Sequence, residues 1–309
     1  MKSIALYIIT VLIWGSTWLA IEFQLGDIAV EVSLFYRFSL AAILMWVWVS
    51  VKKLPMNYSR RDHGFFILLA LCNFGLNYLV LYWAQNYLTS AMASIAFSML
   101  LLMNIVNTRL FFGKPIAKRI YSGALIGVVG IVSLFWPQLQ QFDLSNGALV
   151  GLLLALAGTF VASLGNMVSV RNSQQQIGVM QGNAWGMLYS AIGLLCYVFI
   201  TDASLSFSAP ASYWYSLVYL AVLGTVIAFA CYFALLKNIG PERASYVIVL
   251  FPLVAVILST LFEGFIWQAN TFIGFSLVLV GNAIVLTPTQ RIKAFFATRS
   301  LLQKSSIPS

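Results

Sequence analysis

Few side chains in this sequence could make or break a covalent bond, and none stands beside a partner at catalytic spacing. His63 is the single histidine, and it lies in a charged stretch next to Arg60, Arg61 and Asp62. An isolated imidazole among solvated charges reads as a loop residue. Cys72, Cys196 and Cys231 lie inside apolar runs and lack the CxxC spacing of a redox or metal pair. They read as small buried hydrophobes. No nucleophile–base pair and no phosphate-cradling glycine loop can be read from the spacing. Hydrolysis, metal catalysis and direct coupling to ATP therefore have no visible constellation. No cofactor and no metal site is expected, and the chain is read as a non-enzyme.

A second set of polar residues is more informative, because each lies within an apolar run. Asn73 and Asn77 are four apart, so on a helix they share a face, with Tyr78 and Tyr82 as an aromatic pair beside them. Ser90, Ser94 and Ser98 stripe another helix; hydroxyls at that spacing serve close helix packing or line a polar path. Asn166, Trp14 and Tyr232 fall near the middle of their runs, and Tyr246 lies closer to an end. Pro252 sits mid-run, where it cannot donate a backbone bond to the carbonyl of Ile248. That carbonyl must find another partner or face a wet cavity. Arg37 is a basic residue inside a run, and two readings fit it. It snorkels to the outer headgroups and pairs with Glu22 or Glu31, or it is an outer-gate or carboxylate-binding cation. Glu263 closes the run that holds Pro252, as an interfacial acid or as a tie between helix ends. Groups of this kind bind and pass a solute; they do not transform one.

The elements that carry these residues follow from composition. Of 309 residues, 61% are hydrophobic and 8% are charged, against roughly 25% charged in an ordinary soluble domain. Residues 3–21, 64–108, 120–142, 144–170, 172–201, 203–236, 244–262 and 264–290 contain no Asp, Glu, Lys or Arg. A spanning helix needs roughly 20 apolar residues, and the run 64–108 holds two. The runs are apolar on every face, unlike the alternating strands of a membrane barrel. The pattern predicts an all-α integral membrane protein with ten transmembrane helices, at 3–22, 32–51, 65–86, 90–111, 120–137, 148–170, 182–201, 213–236, 244–262 and 271–288. The N-terminal run is read as the first span and not a signal peptide, because Trp18 would sit at the −3 position of the nearest cleavage site.

Charge placement tests that count. With a cytoplasmic N-terminus, the cytoplasmic loops and the helix end at Arg109 hold 16 of the 17 basic residues, all but Arg37. Six of the eight acids fall outside: Glu22, Asp27, Glu31, Asp143, Asp202 and Glu263. Adding or removing one helix would invert every later loop and destroy this bias. The net charge of +9 thus marks a membrane surface and not nucleic acid. Both termini are expected in the cytoplasm of a bacterial-type cell with the protein in its plasma membrane, and residues 289–309 as a short basic tail.

The chain also resembles itself. At an offset of 151 residues, positions 93–130 fall on 244–281 with nine identities in 38. Gly113 meets Gly264, Gly123 meets Gly274 and Gly130 meets Gly281. Five helices per half is an odd number, so the halves, 3–137 and 148–288, would lie inverted relative to each other.

These residues resemble the drug/metabolite transporter superfamily, in its EamA-type ten-helix branch. Ile13-Trp14-Gly15-Ser16-Thr17 is similar to the branch's Trp-Gly signature, and Arg37 sits where the second helix usually carries an arginine. The second half carries Gly224-Thr225, Gly240-Pro241, Ala244-Ser245, Pro252, Glu263-Gly264, Gly274 and Gly281 in order. The first half departs from the pattern, with Leu101 in place of the proline and Phe112 in place of the glutamate. The resemblance implies two inverted five-helix repeats, alternating access, and a substrate path between the halves. It implies a secondary transporter, an exporter of small metabolites such as amino acids or amphipathic compounds. An importer or exchanger of nucleotide-derived or amino-acid-like solutes is the alternative, and a non-transporting receptor or enzyme is the reading from another class. The expected partners are a small-molecule substrate and the lipid bilayer, and the expected state is a monomer. The site is expected among the first, third, fourth, sixth, eighth and ninth helices. Trp14, Asn73, Asn77, Ser94, Ser98, Asn166, Tyr232, Tyr246 and Pro252 would line the path, with Arg37 and Glu263 at gates or helix ends. No charge is expected at mid-span, which favours neutral or zwitterionic solutes.

Overall fold

The computed structural model describes residues 2–137, 147–244 and 246–287. Helices fill all ten expected places. They are α1 (Lys2–Glu22), α2 (Val30–Val51), α3 (Arg60–Gln85), α4 (Ser90–Phe112), α5 (Lys118–Leu134), α6 (Gly147–Gln174), α7 (Val179–Ile200), α8 (211–244), α9 (Val247–Phe262) and α10 (Ala269–Leu286). Eight candidate spans are long and apolar enough to cross a bilayer by themselves. Helices α9 and α5 are shorter, with 16 and 17 residues. The expected tail 289–309 and most of the loop that holds Asp143 lie outside the described residues.

Three helices depart from regular α geometry. Helix α3 passes through a π segment at Ala70–Gly75, and α8 through another at Tyr219–Ile227. The Thr225 hydroxyl donates to the carbonyl of Leu220, five residues back, as the wider turn allows. Such inserted turns re-aim side chains and recur at functional sites. Helix α4 breaks at Ser98–Met99 into the pieces Ser90–Phe97 and Leu100–Phe112. Here Ser94 and Ser98 donate back to the carbonyls of Ala91 and Ile95, at 2.8 and 2.6 Å. Hydroxyls that bond back into their own helix bend it. Helix α9 continues through its buried proline, Pro252.

The packing is paired. Helix α5 lies on α10, α2 on α7, and the first piece of α4 on α9. Each of these pairs joins helices five apart in order. The α5–α10 contact shows the most detail. A Cβ on Gly123 would stand 2.7 Å from the Gly281 carbonyl oxygen, and one on Gly130 would stand 2.8 Å from that of Gly274. Arg119 donates to the carbonyl of Val285 at one end, and Asn270 donates to the carbonyl of Leu134 at the other. Positions 119, 123, 130 and 134 become 270, 274, 281 and 285 on adding 151. These contacts therefore recur with their two sides exchanged, as in an isologous interface. Helices α4 and α9 also end alike, on Gly113 and Gly264, with φ of 66° and 67°. That left-handed conformation suits a residue without a Cβ.

The glycine seam makes a direct prediction. Gly130→Val drives a side chain into the backbone of α10, and overpacking of this kind costs about 1–3 kcal/mol. Gly193→Ala in α7, where an added methyl meets nothing within 4 Å, should leave stability unchanged or raise it by up to about 1 kcal/mol. Melting of the detergent-solubilised chain, followed by size exclusion, should show the first variant lowered and the second not. Equal melting temperatures would contradict the seam.

Candidate functional site

A cavity of about 730 Å³ lies between the two halves. Helix α1 contributes Trp14, Thr17, Trp18 and Ile21. Helix α3 contributes Asn73, Phe74, Asn77, Tyr78 and Leu81, and the second piece of α4 contributes Asn104, Ile105 and Thr108. Ala162, Asn166 and Ser169 come from α6, Gly224, Phe229 and Tyr232 from α8, and Ile248 and Phe251 from α9. These are the six helices expected from the sequence. Arg37 of α2, Asn183 of α7 and Ile120 of α5 join them.

One wall is built from side-chain amides. Asn73 Nδ2 donates to Asn166 Oδ1 at 3.4 Å, and Asn166 Nδ2 donates to Asn104 Oδ1 at 3.2 Å. The relay links α3, α6 and α4, and behind it Asn107 Nδ2 donates to the Ser163 hydroxyl at 2.9 Å. Asn73 lies inside the π segment of α3, and Asn77 follows it with a buried Oδ1 that has no hydrogen-bond partner. The facing wall is aromatic. Trp14 meets Phe229 edge to face, with ring centroids 5.6 Å apart, and Tyr232 at 5.0 Å. Amide donors opposite aromatic faces suit a partly apolar solute held by a few directed hydrogen bonds.

The two ends of the cavity differ. At the end where the basic loops lie, its lining reaches Thr108 and the loop residues Lys114, Pro115 and Ile116. At the acidic end, Trp18, Phe97 and Phe251 close on one another with centroids 5.3–6.4 Å apart. Gln85 donates to the Trp18 carbonyl at 3.1 Å, which ties α3 to α1 there. Glu263 accepts from the Ser90 amide at 3.2 Å and from the Ser90 hydroxyl at 2.9 Å, so the end of α9 caps the start of α4. A carboxylate on a helix N-terminus is favoured by the helix dipole. Position by position, the same tie cannot form at the other end. Pro241 stands in the place of Ser90 and lacks an N–H, and Phe112 stands in the place of Glu263 and lacks an acceptor.

The structure brings Trp14, Asn73, Asn77, Asn166, Tyr232 and Arg37 to the cavity and leaves five expected residues outside its lining, Glu263 at its helix end among them. Ser94 and Ser98 are fully buried, with their hydroxyls occupied by their own helix. Tyr246 bonds Thr287 of the loop after α10, at 2.7 Å. Pro252 is buried among packed helices, and its neighbour Phe251 lines the cavity instead. Arg37 departs from the snorkelling reading. It is 2% exposed, with Nη1 donating to the Tyr82 hydroxyl at 3.0 Å and Cζ 4.6 Å above the Tyr78 ring. Its place in the wall goes with the other reading given above, a cation at the outer part of the path. Asn104, Thr108 and Asn183 were missed by the sequence reading, although Asn104 and Asn183 are polar positions inside apolar runs like Asn73.

Comparison with known proteins agrees with this architecture. The model of the EamA-like transporter family matches residues 1–136 and again 149–287. An uncharacterized inner membrane transporter, YedA, of Escherichia coli (strain K12) is 28% identical, over 94% of this chain and 92% of that protein. An uncharacterized transporter, YoaV, of Bacillus subtilis (strain 168) is 24% identical, over 83% of this chain and 87% of its own length. Protein PagO of Salmonella typhimurium is 21% identical over 91% of this chain and 94% of its own. A solved crystal structure with 16% identity superposes with a TM-score of 0.65, covering 92% of this chain and 96% of the other, and shows the same fold. The chain belongs to the EamA-like transporter family.

The cap at the acidic end is testable by itself. Glu263→Ala removes a charge-assisted acceptor from a helix N-terminus and should cost about 1 kcal/mol, while Glu263→Gln should cost less. Thermal unfolding in detergent is expected to rank wild type above Glu263→Gln above Glu263→Ala. An unchanged midpoint in Glu263→Ala would show that the cap contributes nothing.

Proposed function

We propose, from membership of the EamA-like transporter family, that this protein is a secondary transporter that exports small, partly apolar metabolites across the plasma membrane by alternating access. The observation that carries the reading is the cavity. It takes its lining from both halves, is walled by amides and aromatics, reaches loop residues at the basic end and meets the packed rings of Trp18, Phe97 and Phe251 toward the acidic end. With the basic loops in the cytoplasm, as the positive-inside bias places them, this is an inward-facing state ready to take solute from the cell interior. The Glu263–Ser90 cap holds the outer end closed, and Pro241 and Phe112 leave the inner end without a matching tie.

The two halves, residues 3–137 and 148–288, act as inverted five-helix repeats about the α5–α10 seam. The exchanged contacts along that seam and the two separate family matches support this relation. Rocking one half against the other would open the acidic end as the basic end closes. Asn73, Asn104 and Asn166 supply hydrogen bonds to the solute, and Trp14 and Tyr232 supply an apolar face. Asn77, with its spare acceptor, joins the binding wall. The membrane contains no acid that lines the cavity among the described residues, so downhill export needs no proton relay within it.

The test is counterflow in liposomes reconstituted with the purified chain and loaded with phenylalanine, leucine or uridine. At least one should exchange faster than in protein-free vesicles. Asn104→Ala and Asn166→Ala each remove one directed hydrogen bond and should lower that flux about fivefold. Parent-rate flux in both variants, at equal reconstitution, would contradict the assignment of the amide wall.

A further inference from the structure

Two charged residues line the cavity, and both are cations: Arg37 at the closed end and Lys114 at the open end. Arg37 is the deeper. Its Cα lies seven residues into α2, roughly 10 Å along the helix from its start. A cation at that depth costs on the order of a few kcal/mol unless it is paired or solvated. The structure offers partial compensation. The Tyr82 hydroxyl accepts one of the five guanidinium N–H groups, and Cζ lies 4.6 Å from the Tyr78 ring centroid and 5.5 Å from that of Phe38. Cation–π contacts of this kind are worth about 0.5–2 kcal/mol each. Among the described residues the ion pair found is Arg171–Asp62, which leaves Arg37 with no carboxylate. Its buried Nε has no hydrogen-bond partner.

A buried guanidinium in the lining of a cavity, held by two tyrosines and with an unpartnered Nε, is a prepared anion site. We infer that the transported solute carries a carboxylate that docks on Arg37, with an aryl or branched alkyl body lying along Trp14, Trp18 and Phe97. The class is amphipathic organic acids, amino acids included, and it excludes organic cations. This inference rests on the transport reading and narrows its substrate. A guanidinium edge matches a carboxylate with two parallel N–H···O bonds. The surrounding wall is mostly apolar, which suits one small carboxylate better than a strongly hydrated phosphate. Lys114 at the mouth adds a positive potential that draws anions inward. A cationic solute would meet two like charges and no acid.

The experiment uses three probes that share a skeleton and differ at the head: 3-phenylpropanoate, 3-phenylpropanamide and 3-phenylpropylamine. Binding to the full-length chain in detergent is read by thermal shift, and flux by counterflow in liposomes. The carboxylate should bind about tenfold or more tighter than the amide, as one charged hydrogen bond implies, and the amine should not bind. Arg37→Gln should bring acid and amide together, and Arg37→Lys should restore part of the difference. The wild-type comparison decides the matter even if a variant fails to fold. Absence of any carboxylate preference across the series, including no binding of the acid at all, overturns the inference. Preference for the acid in binding without flux of any probe would instead overturn the transport reading and leave the anion site standing.

Discussion

The backbones of α5 and α10 touch because four glycines leave no Cβ between them at the points of closest approach. Gly123 stands against Gly281 and Gly130 against Gly274, each so close that a single methyl would meet a carbonyl oxygen below 3 Å. Hydrocarbon gives no hydrophobic drive to helix association, so close approach of small residues supplies the attraction. The ends of the seam are fixed by Arg119 and Asn270, each donating to the last turn of the opposite helix. With one helix of each half locked in this way, the remaining contacts between halves can be of other kinds. The cavity occupies the side away from the seam, bounded mainly by α1, α3, α4, α6, α8 and α9.

The second constraint is that polar groups in a bilayer must find protein or water. The asparagines meet it by bonding across three helices, and Arg37 meets it in part with two tyrosines. Two of the buried atoms left without a partner, the Nε of Arg37 and the Oδ1 of Asn77, belong to residues that line the cavity. Elsewhere buried polar groups tie helices to one another: Gln24 Nε2 donates to the Tyr213 carbonyl and the Ser216 hydroxyl, and the Tyr213 hydroxyl donates to Ser33. Those bonds hold the end of α1, α2 and α8 together.

Much of the fold was legible because the bilayer imposes a length and a charge code. Uncharged runs of about 20 residues and the bias of Lys and Arg placed all ten helices, most of their ends to within a few residues, while the eighth runs on to residue 244 past its expected end at 236. The glycine correspondences at an offset of 151 pointed to α5 and α10, although nothing in the sequence said that Gly281 would lie against both Gly123 and Gly127. The site was legible by residue type and not by direction. Asn73, Asn166, Trp14 and Tyr232 reach the cavity, but Ser94 and Ser98 turn their hydroxyls back on their own carbonyls. A serine in a helix can do either, and spacing does not choose. The π segments were invisible, since Ala70–Gly75 carries no proline or charge to announce an extra residue in the turn. Arg37 was seen, yet its inward aim depended on Tyr78 and Tyr82 arriving from α3 at the right height.

The two ends of the cavity are built differently. Closure at the acidic end uses a carboxylate on a helix start and a packed aromatic trio, whereas the basic end has proline and phenylalanine at the equivalent positions. The central claim is that the cavity seen here faces the cytoplasm. It is tested most directly by placing one cysteine in its wall, Asn166→Cys, in a chain whose Cys72, Cys196 and Cys231 are replaced by alanine. A membrane-impermeant maleimide applied to inside-out vesicles should label this position rapidly, and applied to right-side-out vesicles it should label slowly. Equal labelling from both sides, or faster labelling from outside, would contradict the account.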